Sequence, residues 1–237
     1  MSTSVSPVLK VSNLCKAFGR QQALSRVSLD VRGGEVLGII GPNGAGKTTL
    51  FECVAGTLPA DSGEIAVTGQ MFYLPDAIAP WPSQTVQWAL QFVPGFFAGA
   101  DGVNAARVAT VIVTFKLTEL LNRPIGALSK GQRKRAMLAI ALLTPAPILL
   151  VDEPFEGLDL RQSREVAAAL RAEAAAGRTL FLSIHQMADA VRVCDRFILL
   201  SGGVVKGAGT LDELSVMAGT QGQAGARDLE EVFLALT

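Results

Sequence analysis

The sequence predicts an α/β fold built on a parallel sheet, and three observations carry that prediction. An apolar, β-branched run, Val36-Leu37-Gly38-Ile39-Ile40, leads directly into Gly41–Leu50, GPNGAGKTTL, and then into a helix starting at Thr48-Thr49-Leu50-Phe51. A run without polar alternation reads as a strand buried on both faces, the habit of parallel sheets. Two further runs of this kind, Ile148–Val151 and Thr179–Ile184, lie downstream and flank an alanine-rich helical stretch at Leu160–Ala176. The loop itself fits G-x-x-x-x-G-K-[ST], which belongs between a strand and a helix.

The remaining elements follow in chain order. Val8–Val11 and Leu24–Val31 read as strands, the second alternating through Leu24, Arg26, Ser28 and Asp30, with Lys16-Ala17-Phe18-Gly19-Arg20 between them. The helix after the glycine loop should end near Gly56, and short strands follow at Glu64–Thr68 and Met71–Leu74, the latter closing at Pro75-Asp76. From Ala77 to about Leu128 the character changes to a helical insert, with helices at Trp88–Val93 and Asn104–Leu121 separated by Pro94-Gly95 and Ala100-Asp101-Gly102. Ser129-Lys130-Gly131-Gln132 opens a helix that runs to about Leu143, where Pro145 and Pro147 forbid continuation. Gly177 stops the alanine-rich helix. Met187–Val193 reads as a helix, and Arg196–Leu200 with Val204–Lys206 as a hairpin over Ser201-Gly202-Gly203. Gly219–Arg227 is polar and glycine-rich, so it reads as mobile. Asp228 and Glu231 have capping-box spacing for a last helix striped by Leu229, Val232, Phe233 and Leu236.

Composition narrows the function. Lysine plus arginine and aspartate plus glutamate both number 21, so the net charge is zero and no nucleic-acid footprint is expected. Mean hydropathy is +0.37, which fits either a large core or apolar surface covered by a partner. MSTSVSPVLK contains no apolar leader segment. Cys15, Cys53 and Cys194 have neither metal spacing nor a disulfide framework, which suits a reducing cytosol. The stretch Ala77–Ala100 holds no charged residue, but Pro80, Pro82, Pro94, Gly95 and Gly99 break it, so no membrane span is read there.

Two constellations carry chemistry. A glycine loop before a helix N-terminus is a nest of backbone N–H groups at the positive end of a helix dipole, which binds phosphates. Glycines allow backbone approach and positive φ. The cradle is Gly41, Pro42, Asn43, Gly44, Ala45, Gly46, Lys47, Thr48 and Thr49, with Lys47 reaching the β- and γ-phosphates and the Thr48 hydroxyl ligating Mg²⁺. Farther on, Ile148–Val151 delivers Asp152 and Glu153 at a strand's carboxyl end, where α/β sheets bind ligands. Asp152 suits the Mg²⁺ shell and Glu153 a general base that polarises water. Alone, the pair would read as solvated charge before Pro154; beside a phosphate loop it reads as catalytic.

With these residues in place, the chain resembles the ATP-binding-cassette (ABC) ATPases over nearly its whole length. Leu128–Gln132, LSKGQ, is close to the family's LSGGQ signature. Glu156–Asp159, EGLD, resembles its D-loop, and His185, the one histidine, ends the next strand as the switch histidine does. The resemblance implies one ABC ATPase domain over 1–237, with a P-loop NTPase core of ABC type, a flanking antiparallel β subdomain, a helical subdomain at 77–143 and a C-terminal tail at 210–237 carrying a short helix. It implies Mg²⁺-dependent ATP hydrolysis to ADP and phosphate. Ser129, Gly131 and Gln132 would grip the γ-phosphate of ATP held by an opposite subunit, so that a homodimer sandwiches two nucleotides head to tail. The S-x-x-Q spacing is equally a capping box, and a capped helix N-terminus is itself an anion site. His185 would contact the γ-phosphate. Phe18 stands where cassettes stack an aromatic on adenine, or else packs in the core.

Two departures from the family pattern stand out. Lys130 replaces a signature glycine. At the glutamine-loop position, Tyr73-Leu74-Pro75 is followed by Asp76, a hard anionic ligand suited to Mg²⁺ but lacking the amide donor. The resemblance further implies a separate transmembrane permease as partner and a place on the cytoplasmic face of the cell membrane. The Pro75-Asp76 loop, LSKGQ and the lack of a long C-terminal regulatory domain lean toward export. A single-cassette ATPase that drives an assembly complex without transport is the competing reading; the signature and switch histidine disfavour a kinase or GTPase. Family cassettes receive a short helix of the membrane subunit beside the glutamine loop. Here that region carries Trp81, Trp88, Phe92, Phe96 and Phe97. Trp88 and Phe92 share a helix face and suit a small core, whereas Trp81, between Pro80 and Pro82, suits a docking groove.

Overall fold

The computed structural model describes residues 7–76, 80–98, 104–219 and 229–237. Its centre is a sheet of six strands in the order β5-β6-β7-β3-β8-β9. These are β3 (Val36–Ile40), β5 (Met71–Leu74), β6 (Ile148–Asp152), β7 (Thr179–Ile184), β8 (Arg196–Ser201) and β9 (Val204–Gly209). The first five run parallel, and β9 turns back antiparallel on β8. A three-stranded antiparallel sheet, β2-β1-β4, flanks it, made of β1 (Pro7–Phe18), β2 (Gln21–Arg32) and β4 (Ser62–Val67).

The unbroken hydrophobicity of the central strands has a direct cause. Alternate residues point to opposite faces, and both faces are covered. Leu37, Ile39, Ile148, Leu150, Phe181 and Ile198 face the antiparallel sheet and helix α1 (Lys47–Val54). Val36, Ile40, Leu149, Val151, Leu180 and Leu182 face the other helices. Those are α4 (Lys130–Leu143), α5 (Leu160–Ala175), α6 (Met187–Val193), α7 (Leu211–Met217) and α8 (Leu229–Leu236). Ser129 caps α4 in a complete capping box with Gln132, and Asp159 caps α5.

Four expectations change. β1 continues to Phe18, so Lys16–Phe18 are strand rather than loop; the Asp61 carboxylate fixes them, accepting from Ala17 N at 2.7 Å and Lys16 Nζ at 3.0 Å. α2 (Val86–Ala98) runs through Pro94 instead of stopping before it. Proline forfeits one helical hydrogen bond, but Ala89, Leu90 and Val93 are buried in the core cluster that holds α4, and this packing carries the helix through. α3 (Ala105–Thr114), capped by Asn104, ends well before Leu121. Lys116 adopts a left-handed φ of 52° and the chain continues in 3₁₀ turns at Thr118–Leu120 and Ile125–Ala127. Finally, α7 precedes the expected last helix; its start is a capping box between Thr210 and Glu213, a T-x-x-E signal present in the sequence.

The break at Ala100-Asp101-Gly102, the glycine-rich stretch at 220–227 and the Asp228 cap lie outside the described residues. Cys15, Cys53 and Cys194 are free thiols.

Candidate active site

At the carboxyl ends of β3, β6 and β7 a cavity of about 540 Å³ opens between the glycine loop and the end of β5. Its lining includes Asn43, Gly44, Gly46, Lys47, Thr48 and Thr49 from the loop and α1, with Asp76, Asp152, Glu153, Glu156 and His185 opposite.

The loop is shaped by its glycines at one decisive point. Gly46 holds φ at 104° as the N-cap of α1, and a Cβ there would lie 2.5 Å from the Ala23 carbonyl oxygen. Neither the conformation nor the space admits a side chain. No side chain caps α1, and no acidic residue sits in its first turn. Its leading N–H groups therefore face the cavity without an anionic partner from the protein, the arrangement that binds phosphate. Gly41, Pro42 and Ala45 complete the loop. Lys47 is buried, and its Nζ donates to the carbonyl oxygens of Gly41 at 2.7 Å and Pro42 at 3.2 Å, 3.7 Å from Glu153 Oε1.

β6 and β7 set the acidic wall. Thr48 Oγ1 donates to Asp152 Oδ2 at 2.8 Å, which brings together a hydroxyl and a carboxylate, the hard oxygen donors Mg²⁺ prefers. Ser183, in register with Asp152 across the β6–β7 ladder, donates its hydroxyl to Asp152 Oδ1. The same hydroxyl accepts from Glu153 N at 3.1 Å. Glu153 leaves the strand at a left-handed φ of 49°, and its Oε2 accepts from His185 N at 3.1 Å. Burial pushes the Glu153 carboxyl up to about 7, the Lys47 ammonium opposing and the Asp152 and Glu156 carboxylates reinforcing the rise. A carboxyl poised near neutrality suits a general base.

The other candidate residues divide. Phe18 lies at the cavity mouth, 52% exposed, so it is not core; the Lys16 ammonium stands 5.7 Å from its ring. Asp76 lines the cavity, yet its Oδ1 is engaged by Lys134 Nζ at 2.5 Å. The His185 imidazole is exposed on the cavity wall, while its backbone N–H serves Glu153. Ser129, Gly131 and Gln132 do not line the cavity. They form the first turn of α4, where Ser129 N donates to Gln132 Oε1 at 3.0 Å and Gln132 N to Ser129 Oγ at 3.3 Å. A Cβ on Gly131 would stand 2.6 Å from the Gly157 carbonyl oxygen, so the turn is pressed against the EGLD loop.

Ser183 and Lys134 escape the motifs, and Glu156 enters only as the first residue of EGLD. Ser183 is a polar residue near the carboxyl end of β7, after the apolar run Leu180–Leu182. Glu156 faces the cavity while Lys130 donates to its carboxylate. Lys134 shares a helix face with Met137, Leu138 and Ala141, a buried position for a cation.

Beside the cavity, across the end of β5, lies an apolar groove of about 430 Å³, lined by Phe72, Trp81, Phe92, Phe96, Phe97 and Ile140 among others. Trp81 has φ 51° and is 41% exposed, with its ring edge-on to Trp88 at 5.6 Å. Trp88 packs against the core, whereas Phe92, stacked on it at 4.4 Å, is 48% exposed and belongs to the groove.

The profile of the ABC transporter family matches residues 24–156. An uncharacterised ABC transporter ATP-binding protein of Methanocaldococcus jannaschii is 32% identical over 214 residues, covering 89% of this chain and 80% of that protein. The hemin import ATP-binding protein HmuV of Thermobifida fusca is 33% identical, covering 87% of this chain and 78% of its own length. The SkfA peptide export ATP-binding protein SkfE of Bacillus subtilis is 30% identical, covering 83% and 86%. A solved ATP-binding subunit of an ABC transporter superposes with a TM-score of 0.84 at 28% identity, covering 97% of this chain and 99% of that one.

Proposed function

Because the chain belongs to the ABC transporter family, as an ATP-binding cassette, we propose that it is the Mg²⁺-dependent ATPase subunit of an exporter whose transmembrane parts are separate chains. The observation that carries the ATPase reading is the convergence on one cavity of an uncapped helix N-terminus, Lys47, the Thr48–Asp152 pair and Glu153.

In this reading the triphosphate takes the uncapped N–H groups of α1, and Lys47 exchanges the carbonyls of Gly41 and Pro42 for phosphate oxygens. Thr48 and Asp152 would hold Mg²⁺, which when bound would neutralise charge on the phosphates. Ser183 keeps Asp152 turned toward Thr48. Glu153 accepts a proton from the attacking water, its carboxylate steadied by His185 N. The His185 imidazole meets the γ-phosphate, and Phe18 stacks on the adenine. The first turn of α4, with Ser129, Gly131 and Gln132, faces the nucleotide of a second copy.

Among the described residues no helix is long and apolar enough to cross a membrane. The chain spans most of the length of relatives named as ATP-binding proteins, both import and export types. The lean to export rests on Pro75-Asp76 and LSKGQ. The groove suits a short apolar helix of the permease: it is aromatic, half-exposed and, among the described residues, lined by no charged side chain. Docking there would hold the protein at the cytoplasmic face of the membrane.

The test is phosphate release by the purified chain with Mg-ATP, followed by recruitment to inverted vesicles carrying a polytopic membrane protein that co-purifies with it. ATP-driven accumulation of substrate inside such vesicles supports export. Hydrolysis without recruitment would favour the assembly ATPase instead.

A further inference from the structure

We propose that Lys134 is the positioning residue for Asp76, and that the two act as one neutral unit on the cavity wall. The inference rests on reading the cavity as an ATP site. That wall presents Asp76, Asp152, Glu153 and Glu156 to a ligand that is itself strongly anionic. Thr48 and Ser183 hydroxyls hold Asp152, and Lys47 stands beside Glu153. The two outer carboxylates each take a lysine from the start of α4. Lys134 Nζ stands 2.5 Å from Asp76 Oδ1, and Lys130 donates to Glu156.

Lys134 is the buried member of these pairs: its side chain is 5% exposed, against 60% for Lys130. Its Nζ also lies 3.5 Å from the Asp152 carbonyl oxygen, so one ammonium group joins the ends of β5 and β6. The contact is an ion pair in which the Lys134 ammonium offsets the Asp76 carboxylate. Removing one partner of a largely buried pair leaves the other charge uncompensated. Without Lys134 the wall would carry a bare carboxylate facing the phosphates. Without Asp76 it would carry a bare ammonium.

The two cases have opposite signs, and nucleotide binding reads them. The probe is a fluorescent ATP analogue, titrated in EDTA and in saturating Mg²⁺ against wild type, Lys134→Gln, Lys134→Arg, Asp76→Asn and the double variant Asp76→Asn/Lys134→Gln, with a thermal melt of each. Lys134→Gln should weaken metal-free binding about tenfold, the scale of one charge about 12 Å away at an effective dielectric constant of about 20. Saturating Mg²⁺ should recover most of that loss. Lys134→Arg should bind like wild type, and the double variant should return to within about twofold of it, since two amides replace a neutral pair. Asp76→Asn alone should tighten metal-free binding, which keeps the test alive should Lys134→Gln fail to fold. A loss equal with and without Mg²⁺, weaker binding by Asp76→Asn, or no recovery in the double variant would overturn the role of Lys134 while leaving the ATP site in place. A wild type that does not bind the analogue would overturn both.

Discussion

The cavity and the groove share a wall and are made of different materials. The end of β5 divides them: Leu74 and Pro75 face the groove, and Asp76 faces the cavity. The cavity is built from backbone N–H groups, a glycine loop and carboxylates whose partners are fixed by the neighbouring strand β7 and by helices α1 and α4. The groove is built from aromatic side chains, several half in solvent. A surface made of backbone keeps its geometry whatever occupies it. A surface of stacked rings can re-pack around its occupant, and large aromatics supply most of the energy in such contacts. One concavity is suited to a fixed chemical group, the other to an apolar partner.

The comparison breaks first at Glu153. Glu153→Gln should lower turnover by about 10²- to 10⁴-fold, because an amide cannot accept the proton, while analogue binding and capture on the groove persist. Steady-state phosphate release decides it, and a variant turning over at the wild-type rate would remove Glu153 from the base role. Next is Lys47→Ala. Losing charge-assisted hydrogen bonds at a buried site should cost about 2–3 kcal/mol of nucleotide affinity, measured by analogue titration. Unchanged affinity would mean the loop does not hold the phosphates.

Trp81→Ala sharpens the comparison from the other side. It should weaken assembly with the membrane subunit by about 2 kcal/mol, the scale of an interface anchor, and leave nucleotide binding as it was. Pull-down with the permease beside a thermal melt separates the cases. A sharply lowered Tm with normal capture would make Trp81 a core residue. The smallest effect belongs to Phe18→Ala, where loss of one ring–base stack should cost about 1–2 kcal/mol. It should weaken binding of ATP but not of tripolyphosphate, and an equal loss for both would place Phe18 away from the base.

The sequence carried the cavity more fully than the groove, and the reason is physical. Backbone sites need particular residues at particular spacings: only glycine tolerates the conformation at Gly46, and only a strand end presents Asp152 and Glu153 side by side. Such demands leave a pattern. The partners that tune those groups arrive through sheet register and helix packing, so Ser183 and Lys134 stand out in the sequence only as polar residues at buried positions, and their partners become legible when β7 lies beside β6 and α4 against β5. The helical segment was hardest to read. Pro94 signals a break that packing against α4 overrides, and nothing local marks the left-handed turn at Lys116 that ends α3 early.

The uncapped start of α1 has a consequence for the protein's life in a cell. Most helix ends carry their own stopper, as α4 does with Ser129 and α7 with Thr210. At α1 that part is supplied from solution, so the nucleotide is a structural component with a concentration. A ligand that binds only the folded state adds about 2.7 kcal/mol of stability when present at a hundred times its Kd, and about 4.1 at a thousand times. That is a sizeable fraction of what holds an ordinary domain together. The cassette would be at its most fragile when the cell's energy charge collapses, and its lifetime against proteases would follow the ATP pool it consumes.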